Sequence, residues 1–210
     1  LSEFSNVVRN RRMTRAFATT PVDPDTLHDL VDLASRAPSA GKTQGWHLVV
    51  LEGAETARYW DITLPVERRE SFRWTSLLDA PVLMLALADP DAYVARYAEP
   101  DKSRTGLGES AAAWPTPYWT IDASMSVMTL LLAAEDRRLG ALFFGVFQRE
   151  DDVRAEFTIP DRMAMIGAIA LGHPLDSGGA EGGESDESGR SAPRRRRAPD
   201  EIMHRGRFGA

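Results

Sequence analysis

Cysteine is absent from this 210-residue chain. That excludes disulfides, thiolate catalysis and cysteine-based zinc or iron–sulfur sites, and it fits a reducing cytoplasm, the expected location. Histidine is scarce. The four copies, His28, His47, His173 and His204, include no pair at helical metal-ligand spacing, so no metal is expected. Long hydrophobic runs are missing too. The longest, Ile121 to Ala134, is too short to span a bilayer and contains Asp122, so it reads as a buried helix and no membrane contact is expected. No apolar segment follows a basic one near Leu1, and no secretory signal is read there. Positive charge is in deficit, 25 Lys and Arg against 31 Asp and Glu, and the net charge of −6 argues against a general nucleic-acid binder. There is no Gly-x-Ser-x-Gly elbow, no paired-carboxylate signature and no Walker loop. If the chain is an enzyme, its hard chemistry belongs to a bound cofactor.

What remains is an ordinary globular composition, 43% hydrophobic and 27% charged, sufficient for a single domain over 1–210. Residues 4–16 read as a short helix and Pro24 onward as a second, capped by Asp23 and ended before Pro38. Strands are expected at Trp46–Leu51, Pro81–Ala88, Gly140–Phe147 and Met163–Leu171, and helices at Ala54–Trp60, Val66–Leu78, Tyr118–Arg138 and Arg149–Phe157. Residues 99–117 form a long loop of the kind that often binds a ligand. The helix from Tyr118 is apolar over most of its circumference, which suits burial against a second subunit. Residues 176–192 read as a flexible acidic and Gly/Ser linker before a basic arm at 193–210. The interleaving lacks a regular βαβ rhythm, so the class is α+β or mixed α/β around one sheet.

The most informative stretch joins a helix to a strand through Pro38-Ser-Ala-Gly-Lys-Thr-Gln44. Its small residues leave backbone N–H groups open to a flat or anionic ligand, and Lys42 and Gln44 supply donors beside the opening. It reads equally as a plain connector. Upstream, Arg11 and Arg15 would share one face of a helix, with Arg12 turned away. They can grip a phosphate or form a solvated face. Arg194–Arg197 can be a nucleic-acid patch, a solvated tail or a returning anion site. Trp114, Tyr118 and Trp119 read first as packing and second as an aromatic pocket wall. Phe143, Phe144 and Gly145 end a strand where a backbone N–H can face a ring nitrogen.

Five motifs in order resemble the nitroreductase family of FMN-dependent oxidoreductases: Arg11-Arg-Met-Thr-Arg-Ala-Phe17, Ala37–Gln44, Gly140–Gly145, Ala168–Pro174 and Arg196–Glu201. The resemblance implies an α/β/α sandwich with a central, mostly antiparallel sheet, in a homodimer with two interface sites. It implies that Arg11, Arg12, Met13 and Arg15 hold the phosphate and ribityl chain of FMN, completed by Arg195 and Arg197. Pro38, Ser39 and Ala40 would flank the isoalloxazine from the other subunit, and Lys42 and Gln44 would reach its polar edge. Backbone N–H groups near Gly145 and Val146 would face N5 and O4, with Phe144 also at the cofactor. Trp114, Tyr118 and Trp119 are the candidates for substrate contact. The implied reaction passes hydride from NADH or NADPH through FMN to a small electron-poor acceptor, a nitroarene or quinone, by ping-pong. A deazaflavin donor, dehalogenation, flavin fragmentation and a non-catalytic flavin-binding protein are the alternatives. The chain departs from the family pattern with Lys42 for a usual Asn, Gly45 for a usual Pro and Met13 for a frequent Ser. A cationic Lys42 would favour the anionic reduced ring.

Overall fold

In the computed structural model the chain divides into two compact units, 1–175 and 176–210, and residues 3–175 and 194–209 are described. The expected linker at 176–192 lies outside the described residues. The first unit contains α1 (Glu3–Asn10), α2 (Pro24–Ala34), β1 (Trp46–Glu52), α3 (Ala54–Thr63), α4 (Val66–Arg69) and β2 (Val82–Ala88). It continues through α5 (Pro90–Tyr97), α6 (Tyr118–Asp136), β3 (Gly140–Phe144), α7 (Glu150–Glu156) and β4 (Ala164–Gly172).

The four strands form one antiparallel sheet in the order β1-β2-β4-β3. β2 is buried at every residue, which explains its unbroken apolar run Val-Leu-Met-Leu-Ala-Leu-Ala. Its two faces feed two cores. On one face Leu83, Leu85 and Leu87 join Phe17, Tyr59, Trp60 and Val153; on the other Val82, Met84 and Ala86 join Leu30, Leu130 and Ile169. α2 and α6 cover the second face. Asp23 caps α2 through its carboxylate and Thr26 N–H at 2.9 Å, with Pro24 at the first helical position.

The structure redraws four sequence expectations. The helix read over 4–16 stops at Asn10, because the next residues pair with the sheet: Thr14 N–H donates to Ala141 O at 3.0 Å and Phe17 bridges Pro174. Arg11 and Arg15 therefore do not share a helical face. The helix read over Val66–Leu78 is only α4 and a 3₁₀ turn at Thr75–Leu77. Arg69 donates from Nε to Leu64 O at 2.9 Å and folds the segment back on itself. β3 ends at Phe144 rather than Phe147, where its ladder with β4 ends. α5, for which no helix was read, begins on Asp89–Pro90.

Candidate functional site

Register fixes where the two halves of the site lie. Trp46 pairs with Ala88 and Ala88 with Ala164, while Phe144 pairs with Ala168. The start of β1 and the end of β3 thus share one end of the sheet but sit on its opposite edges. The Pro38–Gln44 turn precedes the first and Gly145–Val146 follows the second. Within a single chain these stretches are held apart by two intervening strands.

The turn is rigidly built. Gly41, Lys42 and Gln44 all have left-handed φ values, 62°, 55° and 54°. Holding two non-glycine residues there costs free energy that the surroundings must supply. They supply it through Asp122 of α6, 3% exposed, whose Oδ2 accepts from Ala40 N–H at 2.7 Å and from the Tyr93 hydroxyl at 2.8 Å. Burial first, and then this hydrogen bond, push the Tyr93 hydroxyl well above the ordinary tyrosine range, so it stays protonated as a donor. From the other side Arg96 donates from Nε to Gly41 O at 2.9 Å, and its two terminal nitrogens grip Asp101 at 2.7 and 2.8 Å. Inside the turn Gln44 N–H donates to Ser39 Oγ at 3.0 Å, and Gln44 Nε2 donates to Ser35 O at 3.2 Å. Pro38, Lys42 and the Gln44 side chain remain at the surface.

Trp114 is buried in a cage of Tyr93, Tyr97, Tyr118 and Trp119, and its indole N–H donates to Leu107 O at 2.9 Å. It anchors the 99–117 loop against α5. Tyr118 is exposed, and Trp119 is half-buried against Tyr93.

At the opposite edge a cavity of about 540 Å³ opens beside the end of β3. Phe144, Gly145 and Val146 line it, with Arg15, Arg68, Trp60, Phe72 and Trp74. The Arg15 guanidinium lies 5.3 Å from the Trp74 ring centre and donates to Met13 O at 3.1 Å. The N–H groups of Gly145 and Val146 have no hydrogen-bond partner among the described residues. A Cβ on Gly145 would collide with the Phe147 ring, which is itself 92% exposed. Arg11 Nη1 is buried with no hydrogen-bond partner among the described residues, a donor of the kind an anionic ligand satisfies. Met13 forms a parallel bridge to Ala141. Arg12 folds back to cap α1, its Nη1 reaching Arg9 O at 2.7 Å and Asn10 O at 2.9 Å.

In the second unit Arg195 forks onto Glu201 with two 2.7 Å hydrogen bonds, and Arg197 is exposed. Among the described residues no group of side chains can hold a metal ion, and no helix is long and apolar enough to cross a membrane.

Sequence reasoning missed Asp122, Tyr93 and Arg96 as positioning residues. One signal was available: Asp122 is the only charged residue between Trp119 and Ala134. An acid kept in so apolar a helix has a polar partner to hold.

One antiparallel sheet between helical layers, with an aromatic cavity at the end of β3, defines an α+β protein with a small-molecule-sized site. The sequence profile of the Nitroreductase family matches residues 8–173, and the chain belongs to that family. It is 31% identical over 211 aligned residues to a 4-nitrobenzoate reductase of Nocardioides sp. (strain LMS-CY), covering 84% of this chain and 85% of that protein. A nitroreductase family protein from Clostridium novyi NT superposes with a TM-score of 0.63 at 25% identity, over 84% of this chain and 87% of the other. A structure from Exiguobacterium sibiricum, solved as a nitroreductase in complex with FMN, gives a TM-score of 0.72 over 97% of both chains at 17% identity, a likeness of fold.

Proposed function

We propose that the chain is an FMN-dependent oxidoreductase that moves hydride from NADH or NADPH to a small electron-poor acceptor such as a nitroarene or quinone, in two alternating half-reactions. The observation that carries this reading is the cavity at the end of β3, with ring walls, Gly145 and Val146 N–H groups that have no partner among the described residues, and the Arg15 guanidinium. FMN, when bound, supplies the hydride-accepting ring. The chain's residues bind and orient it. Arg11 offers its unmet Nη1 to the phosphate, with Arg12 and Arg15 as further cationic partners and Met13 alongside the ribityl chain. Gly145 and Val146 donate backbone hydrogen bonds to the polar edge of the ring, and Phe144 walls it. Lys42 and Gln44, with Pro38, Ser39 and Ala40, complete the opposite side. Donors fixed before the reaction stabilise charge that develops on the ring without having to reorganise. Tyr118 and Trp119 shape the approach of the acceptor, while Trp114, expected from the sequence to touch it, is buried behind them and packs against both.

Since the two halves lie on opposite edges of one sheet, a second copy must supply the turn. α6 offers the surface: Tyr118, Ile121 and Met128 form an exposed apolar stripe at helical spacing on its outer side. Met128→Glu is expected to convert a homodimer into monomers in light scattering and to release FMN together with the partner. A variant that stays dimeric and yellow would remove α6 as the interface.

The reading is tested by the absorbance of the purified protein after incubation with FMN, followed by anaerobic addition of NADH or NADPH. Flavin bands that bleach support it. A protein that takes up no FMN, or a bound flavin that neither donor reduces, overturns it.

A further inference from the structure

Among the described residues only two of the side chains lining the cavity are charged, Arg15 and Arg68, and both are cationic; no described carboxylate lines it. In a chain of net charge −6 this is a local inversion of sign. The neighbouring arginines are neutralised. Arg69 meets Asp61 at 2.6 Å, Arg149 meets Asp152 at 2.7 Å and Arg154 meets Glu150 at 2.7 Å. Arg68 has no acid within ion-pair distance among the described residues. Its one side-chain partner is neutral, the Gln148 amide oxygen at 3.2 Å from Nη1. A guanidinium carries five N–H donors, so four remain, enough to take a carboxylate bidentately.

The walls set the shape of what that carboxylate is attached to. Trp60 and Phe144 lie nearly parallel, 7° apart with centroids separated by 6.0 Å, and Phe72 meets Trp74 edge to face at 5.9 Å. A volume of about 540 Å³ is that of a small-molecule site. Flat aromatic walls favour a flat aromatic guest.

We infer that Arg68, held by Gln148, is a specificity residue that reads an anionic substituent on a planar aromatic acceptor, so that arenecarboxylates are preferred over neutral arenes of the same shape. This rests on the proposed function, with the acceptor entering the same cavity that receives the flavin ring, yet it concerns binding and can be measured without turnover. Arg15 is assigned to the cofactor, which leaves Arg68 as the charge available to the acceptor.

The test is the binding of 4-nitrobenzoate and of its neutral analogue 4-nitrobenzamide to the FMN-supplemented protein, followed by quenching of tryptophan fluorescence, since Trp60 and Trp74 line the cavity. The wild type is expected to bind the carboxylate about tenfold more tightly than the amide, the factor that one charge-assisted contact supplies. The ratio should fall to about one in Arg68→Ala and below one in Arg68→Glu, while the amide constant stays fixed and the carboxylate preference weakens with added salt. Arg68 is exposed in a four-residue helix, so these variants keep the fold. Equal binding of the two ligands by the wild type, or a carboxylate preference that survives in Arg68→Glu, overturns the inference. Whether NADH or NADPH bleaches the flavin is read separately, so failure of the redox assignment and failure of the charge preference give different results.

Discussion

Asp122→Ala is expected to lower the melting temperature by about 6–12 °C and to weaken FMN binding at least about tenfold. The substitution strips the acceptor from two donors at once, the half-buried Ala40 N–H and the buried Tyr93 hydroxyl. Leaving such groups unsatisfied costs on the order of 3 kcal/mol in all. The loss falls on a turn that already holds Lys42 and Gln44 at positive φ, so it should relax into other conformations. Amide hydrogen exchange measured without flavin would show this as faster exchange confined to residues 39–44. Asp122→Asn keeps an oxygen for both donors and should recover most of the stability. Normal exchange in the alanine variant would sink the positioning role, whatever the cofactor does.

The second large effect is expected at Gly167→Val. β4 carries an irregularity here: Ala86 pairs with Gly167 and Leu87 with Met165, so Ile166 is an extra residue in the ladder. A Cβ on Gly167 would lie 2.6 Å from Phe144 O and 2.8 Å from Phe143 Cε2. The carbonyl belongs to the backbone and cannot swing aside, so the end of β3 must shift. Overpacking of this kind costs about 2 kcal/mol, or roughly 4–8 °C in melting temperature. The displaced residues lead directly into Gly145 and Val146. Flavin affinity should therefore fall by more than the stability loss alone explains. An unchanged flavin dissociation constant would show that the strand end does not position the cofactor.

Much of the fold was legible because burial leaves long, one-sided patterns. β2 and β4 stand out as apolar runs, and α6 as a helix without a polar face. The family's motifs likewise point to Arg11, Arg15, the Pro38–Gln44 turn and Gly145. The unread parts depend on tertiary partners. Nothing local tells an arginine-rich helix from a segment pairing along β3, and Met13 and Phe17 settle that only through their bridges to Ala141 and Pro174. α4 stops early because Arg69 finds the Leu64 carbonyl, a contact with no periodicity. α5 is different. Asp89–Pro90 repeats the Asp23–Pro24 start signal of α2, and in both an aspartate carboxylate accepts a backbone N–H. The amphipathic signal behind it is weak, and the cap alone went unread. The Arg68 environment was illegible for a simpler reason, since a missing counter-ion is a property of space and not of spacing.

One oxygen of Asp122 serves both the turn and the Tyr93 ring. Replacements that remove the hydroxyl at 93 or the acceptor oxygen at 122 therefore do not act independently: a phenylalanine at 93 changes what the acceptor is worth, and loss of the acceptor strands the phenol. Descendants of this chain would lose the two groups together or keep both, and the effects of removing each should be strongly non-additive.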